Sequence, residues 1–149
     1  GERLGIFGIS LGGITAALAS AVEPRLHNGF FMLAGADLRL ANWDARELRP
    51  ALAEWTKQGG TRDTLCEALR PIDPVSYPPR LRERNIQMLA CRYDEVIAPA
   101  CGTALWEPCG EPPIEWLDAG HYHVARFVFD RLGSVTRVFQ QAEPVPQSR

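Results

Sequence analysis

The chain is poor in the residues that build metal sites. It has three histidines and four cysteines (Cys66, Cys91, Cys101 and Cys109), and no two cysteines form a C-x-x-C pair. A metal centre is therefore not expected. Cys91 lies in an apolar run and reads as a buried small hydrophobe, while a Cys101–Cys109 disulfide is the pairing left open. There is no basic excess: 16 Lys and Arg stand against 18 Asp and Glu, for a net charge of −2, which argues against nucleic acid as a partner. No apolar run is long enough to suggest a membrane span. Internal repeats and low-complexity stretches are also missing. The chain opens at Gly1-Glu2-Arg3 without an initiator methionine, so whatever preceded residue 1 is expected to be absent, and no leader is there to read. What remains, 149 residues at 46% hydrophobic and 23% charged, is the length and composition of one globular domain.

The chain is organised around its first stretch. Leu4, Ile6 and Phe7 read as a short buried strand, and from Leu11 the sequence turns to small, helix-favouring residues. Between them stands Gly8-Ile9-Ser10-Leu11-Gly12, the G-x-S-x-G pattern of a nucleophile elbow. A sharp strand-to-helix turn is expected to need Gly8 and Gly12, because a Cβ at either would collide with neighbouring backbone. Ser10 would take a strained conformation, with its Oγ clear of the sheet at the positive end of a helix. The Leu11 N–H would then face an incoming oxyanion. The plain alternative is a tight turn with an inert serine.

Further on, a helix over residues 11 to 22 stops before Pro24. Asn28-Gly29 reads as a turn, and residues 29 to 35 as a strand buried on both faces. Residues 36 to 84 are charged and punctuated by proline. Residues 44 to 57 read as a helix, continuous or restarted at Pro50, with Leu48, Leu52 and Trp55 on one face. Thr61 caps a second helix with Leu65, Ala68 and Leu69 inward, closed by Pro71. Fifty residues between two strands exceed a simple crossover. They read as a small helical lid, or else as a plain surface insertion. Residues 85 to 91 form a third strand, 99 to 106 a helix opened by Pro99, 114 to 117 a fourth strand, and a last helix follows to about Gln141. Residues 142 to 149 are expected to be a disordered tail.

In an open parallel sheet, chemistry collects at the carboxyl ends of the strands. Ser10 follows the first strand, Asp94 the third and His121 the fourth, in the chain order Ser, Asp, His. With Gly-Ile-Ser-Leu-Gly-Gly at 8 to 13, Tyr-Asp-Glu-Val-Ile-Ala-Pro at 93 to 99 and Ala-Gly-His at 119 to 121, the chain resembles the C-terminal half of an α/β-hydrolase, from Leu4 to about Gln141. The elbow, with Ile72-Asp73-Pro74 before the third strand, is similar to single-domain esterases and prolyl-oligopeptidase-like serine hydrolases.

The resemblance implies a partial α/β-hydrolase fold: four parallel strands in sequential order, helices on both faces and the helical lid. It implies a serine hydrolase that cleaves an ester, thioester or amide of a small-molecule or peptide acyl substrate. In that scheme Ser10 attacks, His121 shuttles the proton, Asp94 orients the imidazole and no cofactor takes part. Several residues compete for these roles. Asp94 reads alternatively as a turn carboxylate or helix cap, Asp37 after the second strand is a rival acid, and His123 is a rival to His121. Glu95 is expected to face solvent, and His27 to be a surface histidine at the wrong end of the sheet. An acyltransferase of the same chemistry, or a non-catalytic scaffold on the same fold, are the other functional readings. Because the family places its elbow after the fifth of eight strands, the earlier strands and the second oxyanion donor are expected to be missing. The first strand would then keep an apolar edge, and the 149 residues alone would turn esters over poorly.

Overall fold

The computed structural model describes residues 4–140. The expected tail and Gln141 lie outside the described residues. Four strands, β1 (Leu4–Ile9), β2 (Leu26–Met32), β3 (Asn85–Cys91) and β4 (Ile114–Leu117), pair in parallel in the order β1-β2-β3-β4. The fold is thus α/β, with the sheet direction and strand order expected from the sequence. The helices are α1 (Leu11–Val22), α2 (Arg49–Lys57), α3 (Arg62–Leu69), α4 (Pro78–Leu81), α5 (Pro99–Trp106) and α6 (Ala125–Gln140).

Alternation along the strands divides the core into two layers. Phe31, Ile86 and Met88 face one side, where Ala16, Ala17 and Ala21 of α1, Leu81 of α4 and Leu105 of α5 cover them. Phe30, Met32, Leu89 and Cys91 face the other, against Val135 and Val138 of α6. The small alanines let α1 sit close on the sheet. Each fully buried Phe, Met or Leu here stabilises by about 1.5–3 kcal/mol. β1 is paired on one side only among the described residues, and its Leu4 is exposed.

The segment between β2 and β3 has a smaller core of its own. Trp43, Leu65 and Cys66 are buried there, with Leu48, Leu52 and Trp55 against them. Ile97, Ala98 and Cys101 at the start of α5 close this cluster, which ties the segment to the loop after β3. Thr61 and Thr64 form a reciprocal capping box at α3, as helix-start chemistry dictates. Helix α2 begins at Arg49 with Pro50 in its first turn, so residues 44 to 48 are turns rather than the expected first helical turns.

Two sequence readings differ from the structure. Asn28-Gly29 is not a turn: β2 starts earlier, at Leu26, and ends at Met32 rather than at residue 35. Asn28 is buried, yet its amide oxygen accepts from Asn85 Nδ2 at 2.9 Å, so a polar residue is satisfied inside the sheet. The Phe31 ring fills the place a Gly29 Cβ would occupy, 2.7 Å away. The open disulfide pairing is absent too: all four cysteines are free and buried. Burial pushes the Cys91 and Cys101 thiols up to about 11 and the Cys109 thiol to about 12.

The elbow glycines share their work differently from expectation. A Cβ on Gly8 would lie 2.1 Å from the Gly12 carbonyl oxygen, so Gly8 admits no side chain. At Gly12 a Cβ would meet nothing within 4 Å, and the expected steric demand there is wrong. It falls on Gly13, where a Cβ would stand 2.8 Å from the Met32 carbonyl oxygen and 3.0 Å from Ala34 Cβ. One residue further along a helix turns by about 100°, enough to swing the position from outside to the sheet. Gly12→Ala should therefore stay within about 1 kcal/mol of the parent chain in urea unfolding. Gly8→Ala and Gly13→Ala should each lose more, about 1–3 kcal/mol or above. Equal losses at Gly8 and Gly12 would contradict this assignment.

Candidate active site

The strand after which each polar residue stands decides where it goes. All four strands run the same way, so Ser10, Asp94 and His121 arrive at one end of the sheet. His27 lies in β2 at the far end.

Ser10 joins β1 to α1 at φ 55° and ψ −122°, a region non-glycine residues occupy at a cost of about 1–3 kcal/mol. Its N–H donates to the Met32 carbonyl at 2.9 Å and its C=O accepts from Ile14 N at 3.0 Å, so both backbone groups pin the turn. A serine at a helix start ordinarily caps it through its hydroxyl. Here the side chain makes no capping bond. It lies instead 2.8 Å from His121 Nε2. Leu11 opens α1, where backbone N–H groups have no intrahelical acceptor.

Asp94 ends the turn after β3 and is buried. Its Oδ1 accepts from Val96 N at 2.9 Å and Ile97 N at 2.7 Å, which orients the carboxylate across the sheet end. His121 Nδ1 stands 2.9 Å from Oδ1 and 2.8 Å from Oδ2. Two acceptor oxygens around Nδ1 require the proton on that nitrogen, which leaves Nε2 to accept from the Ser10 hydroxyl. The three side chains therefore form one continuous run, Asp94–His121–Ser10.

Burial works against charge on the His121 imidazole. The hydrogen bond to Asp94 and the charges of Asp94, Glu95 and Glu47 outweigh it, so its pKa sits above the ordinary histidine value. The arrangement is a base whose free nitrogen faces a hydroxyl and whose cation is stabilised once formed. All four cysteines are buried, and burial raises each of their thiols.

The rival residues go elsewhere. Asp37 sits at φ 57° after β2 and gives its carboxylate to Arg39, at 2.7 Å to both Nε and an NH2 nitrogen. Asp73 is buried and holds that turn, accepting from Asp37 N at 3.2 Å, Leu38 N at 3.0 Å and Val75 N at 3.1 Å. His123 is exposed, and its backbone N–H donates to the Gly120 carbonyl. A cavity of about 510 Å3 is lined by Asp37, Arg39, Cys66, Arg70, Asp73 and Ser76 among others, and by none of the three gathered side chains. Among the described residues, no group of three or more His, Cys, Asp or Glu could hold a metal ion. No helix there is long and apolar enough to cross a membrane.

Sequence reasoning missed three neighbours of His121. Glu95 is exposed, as expected, and its Oε2 also accepts the His121 backbone N–H at 2.8 Å. The Tyr122 ring meets the imidazole edge-on, centroids 5.5 Å apart. Tyr122 in turn donates its hydroxyl to Glu47 in the helical segment. The glycine before His121 was the available signal, since a glycine often marks a close approach. It did not say what approaches.

No protein-family model and no curated protein matches the sequence. Solved structures match in shape. The structure called AbyA5 aligns with a TM-score of 0.62 and 23% identity over 93% of this chain and 42% of its own. The meta-cleavage product hydrolase CumD from Pseudomonas fluorescens IP01 aligns with a TM-score of 0.64 and 16% identity, over 95% of this chain and 66% of its own. The enol-lactonase from Burkholderia xenovorans LB400 gives 0.60 and 16%, over 93% and 66%. The chain thus spans 42 to 66% of the length of these structures. Together, the sheet order, the helices on both faces and these alignments show that the chain has a partial α/β-hydrolase fold.

Proposed function

We propose that the chain carries the Ser-His-Asp triad of a serine hydrolase, cleaving an ester, thioester or amide through an acyl-enzyme. The observation that supports this reading is the unbroken run from Asp94 through both nitrogens of His121 to Ser10 Oγ. Ser10 Oγ attacks the acyl carbon while His121 Nε2 takes its proton. Asp94 keeps the imidazole in the tautomer that can do so and stabilises its cation. The Leu11 N–H donates to the oxyanion that forms. His121 then passes its proton to the leaving oxygen, sulfur or nitrogen as the tetrahedral intermediate collapses to acyl-Ser10. A water, deprotonated by the same Nε2, releases the acid and restores Ser10. The chemistry needs no cofactor. That CumD is by name a hydrolase and the Burkholderia protein an enol-lactonase agrees with this class, and the substrate proposed here is a small-molecule or peptide acyl compound.

A fluorophosphonate probe tests the nucleophile. It should label the chain at Ser10, and Ser10→Ala should abolish labelling while leaving the circular dichroism spectrum unchanged. In p-nitrophenyl ester turnover the same variant should lose at least about 10³ in kcat. Asp94→Asn should be severely impaired, and Asp37→Asn close to parental, because Asp37 bonds Arg39 rather than the histidine. The reverse pattern would move the acid to the end of β2.

The pH profile follows from the direction of the His121 shift. The base must be neutral, and its pKa is raised, so activity is present above that pKa and lost as pH falls through it. The acid limb of kcat/KM should therefore have its midpoint above the ordinary histidine value of about 6.5. A midpoint below that value would remove His121 as the base.

A further inference from the structure

Glu95 follows Asp94 directly, and the two carboxylates grip one histidine at different atoms. Asp94 takes the ring, and Glu95 Oε2 takes the backbone N–H of His121 at 2.8 Å. The fit around the second grip is close. A Cβ on Gly120 would lie 2.7 Å from Glu95 Oε2 and 3.3 Å from the Tyr93 carbonyl oxygen, so a larger residue there would push the carboxylate away. The Glu95 backbone is held as well, its carbonyl accepting from Asn42 Nδ2 at 2.8 Å. Two loops and the helical segment thus meet at this one residue.

We propose that Glu95 is a positioning residue for His121, its carboxylate fixing the backbone after β4 so that the imidazole stands between Ser10 Oγ and Asp94. This rests on reading those three residues as a triad. The imidazole must satisfy two partners at once, Nε2 at 2.8 Å from Ser10 and Nδ1 at 2.8–2.9 Å from Asp94. Side-chain torsions cannot correct for a backbone that drifts, because both ring nitrogens are committed. Displacement of a catalytic group by about 1 Å costs up to about 10²-fold in rate. Beyond Glu95, the loop before His121 is tied to β3's end by the Arg92 N–H to Leu117 and Tyr93 N–H to Ala119 bonds; neither reaches His121 itself.

Charge adds to the geometry. The groups that face the imidazole are Asp94 and Glu95 from the loop after β3, Glu47 from the helical segment, the Tyr122 ring edge and Ser10 from the elbow. Glu95 itself faces His121 and His123, and the His121 N–H holds its carboxyl below the usual carboxylate range. It is therefore an anion at neutral pH and favours the imidazolium.

Glu95→Gln and Glu95→Ala separate these contributions: Gln keeps an acceptor for the N–H and removes the charge, and Ala removes both. Two quantities would be measured on the chain: the pH-dependent rate of fluorophosphonate labelling, and the His121 titration midpoint by NMR, assigned through the signal lost in His121→Gln. Glu95→Ala should lower the plateau labelling rate by about 10- to 100-fold, and Glu95→Gln should restore most of it. In both variants the His121 midpoint should move to lower pH, since one charge favouring the cation is gone. A merely structural role would leave the midpoint of the folded Gln variant in place. A folded Ala variant that labels at the parental rate overturns the proposal, and so does a Gln variant with the parental midpoint. If Ala fails to fold, the Gln midpoint alone decides. A parent chain that never labels would instead overturn the serine-hydrolase reading, and the NMR midpoints would still show whether Glu95 acts on His121.

Discussion

Parallel pairing of four strands brings every carboxyl end to one edge of the sheet, and the chemistry assembled there depends on it. Ser10 and Asp94 are 84 residues apart, and His121 is 27 beyond Asp94; no local feature could bring them together. The register does so, with Ile9 beside Met32 and Cys91 beside Leu117. Each strand then delivers its next few residues into the same small volume. The buried alternation of Phe30, Phe31, Met32 and Met88 keeps that register from slipping, because a shift of one residue would turn these side chains to the wrong layer.

Within that volume the histidine is where opposing effects are balanced. Taking an imidazole out of water favours its neutral form, and three carboxylates around it favour the cation. The carboxylates prevail. Such a site can accept a proton from a hydroxyl without leaving a bare charge in an apolar place. The same carboxylates are constrained in their own right: Asp94 by two backbone N–H groups, Glu95 by one, and Glu47 by the Tyr122 hydroxyl. The segment between β2 and β3 contributes through Glu47 and Asn42, so it does more than fill a gap between strands.

Much of this was legible from residue order. Helix α1, strands β3 and β4 and helix α5 lie where periodicity and Pro99 put them, since each is bounded by a strong local signal. The residues that meet at the sheet end were also readable, because an elbow motif, a strand end and a glycine-histidine pair each point outward from the sheet. What failed depended on contacts across the fold. Asn28 looks like a turn residue until Asn85 arrives from another strand to satisfy it. Gly12 and Gly13 cannot be told apart without knowing which of them faces Met32 and Ala34. Glu95 reads as a solvated charge and is exposed, but its bond to a backbone N–H 26 residues on leaves no mark on the sequence.

The backbone at Ser10 bears on how such a chain can change over time. A φ of 55° with ψ of −122° suits glycine far better than any residue with a Cβ. The hydroxyl is thus kept in place against a standing conformational cost, and a glycine there would relax the turn. Most routes to a more robust fold leave such sites alone, but here the relaxed residue and the hydroxyl-bearing one are mutually exclusive. A lineage released from the need for the hydroxyl would be drawn toward glycine at this position, and one still under that need would have to find its robustness elsewhere in the sheet.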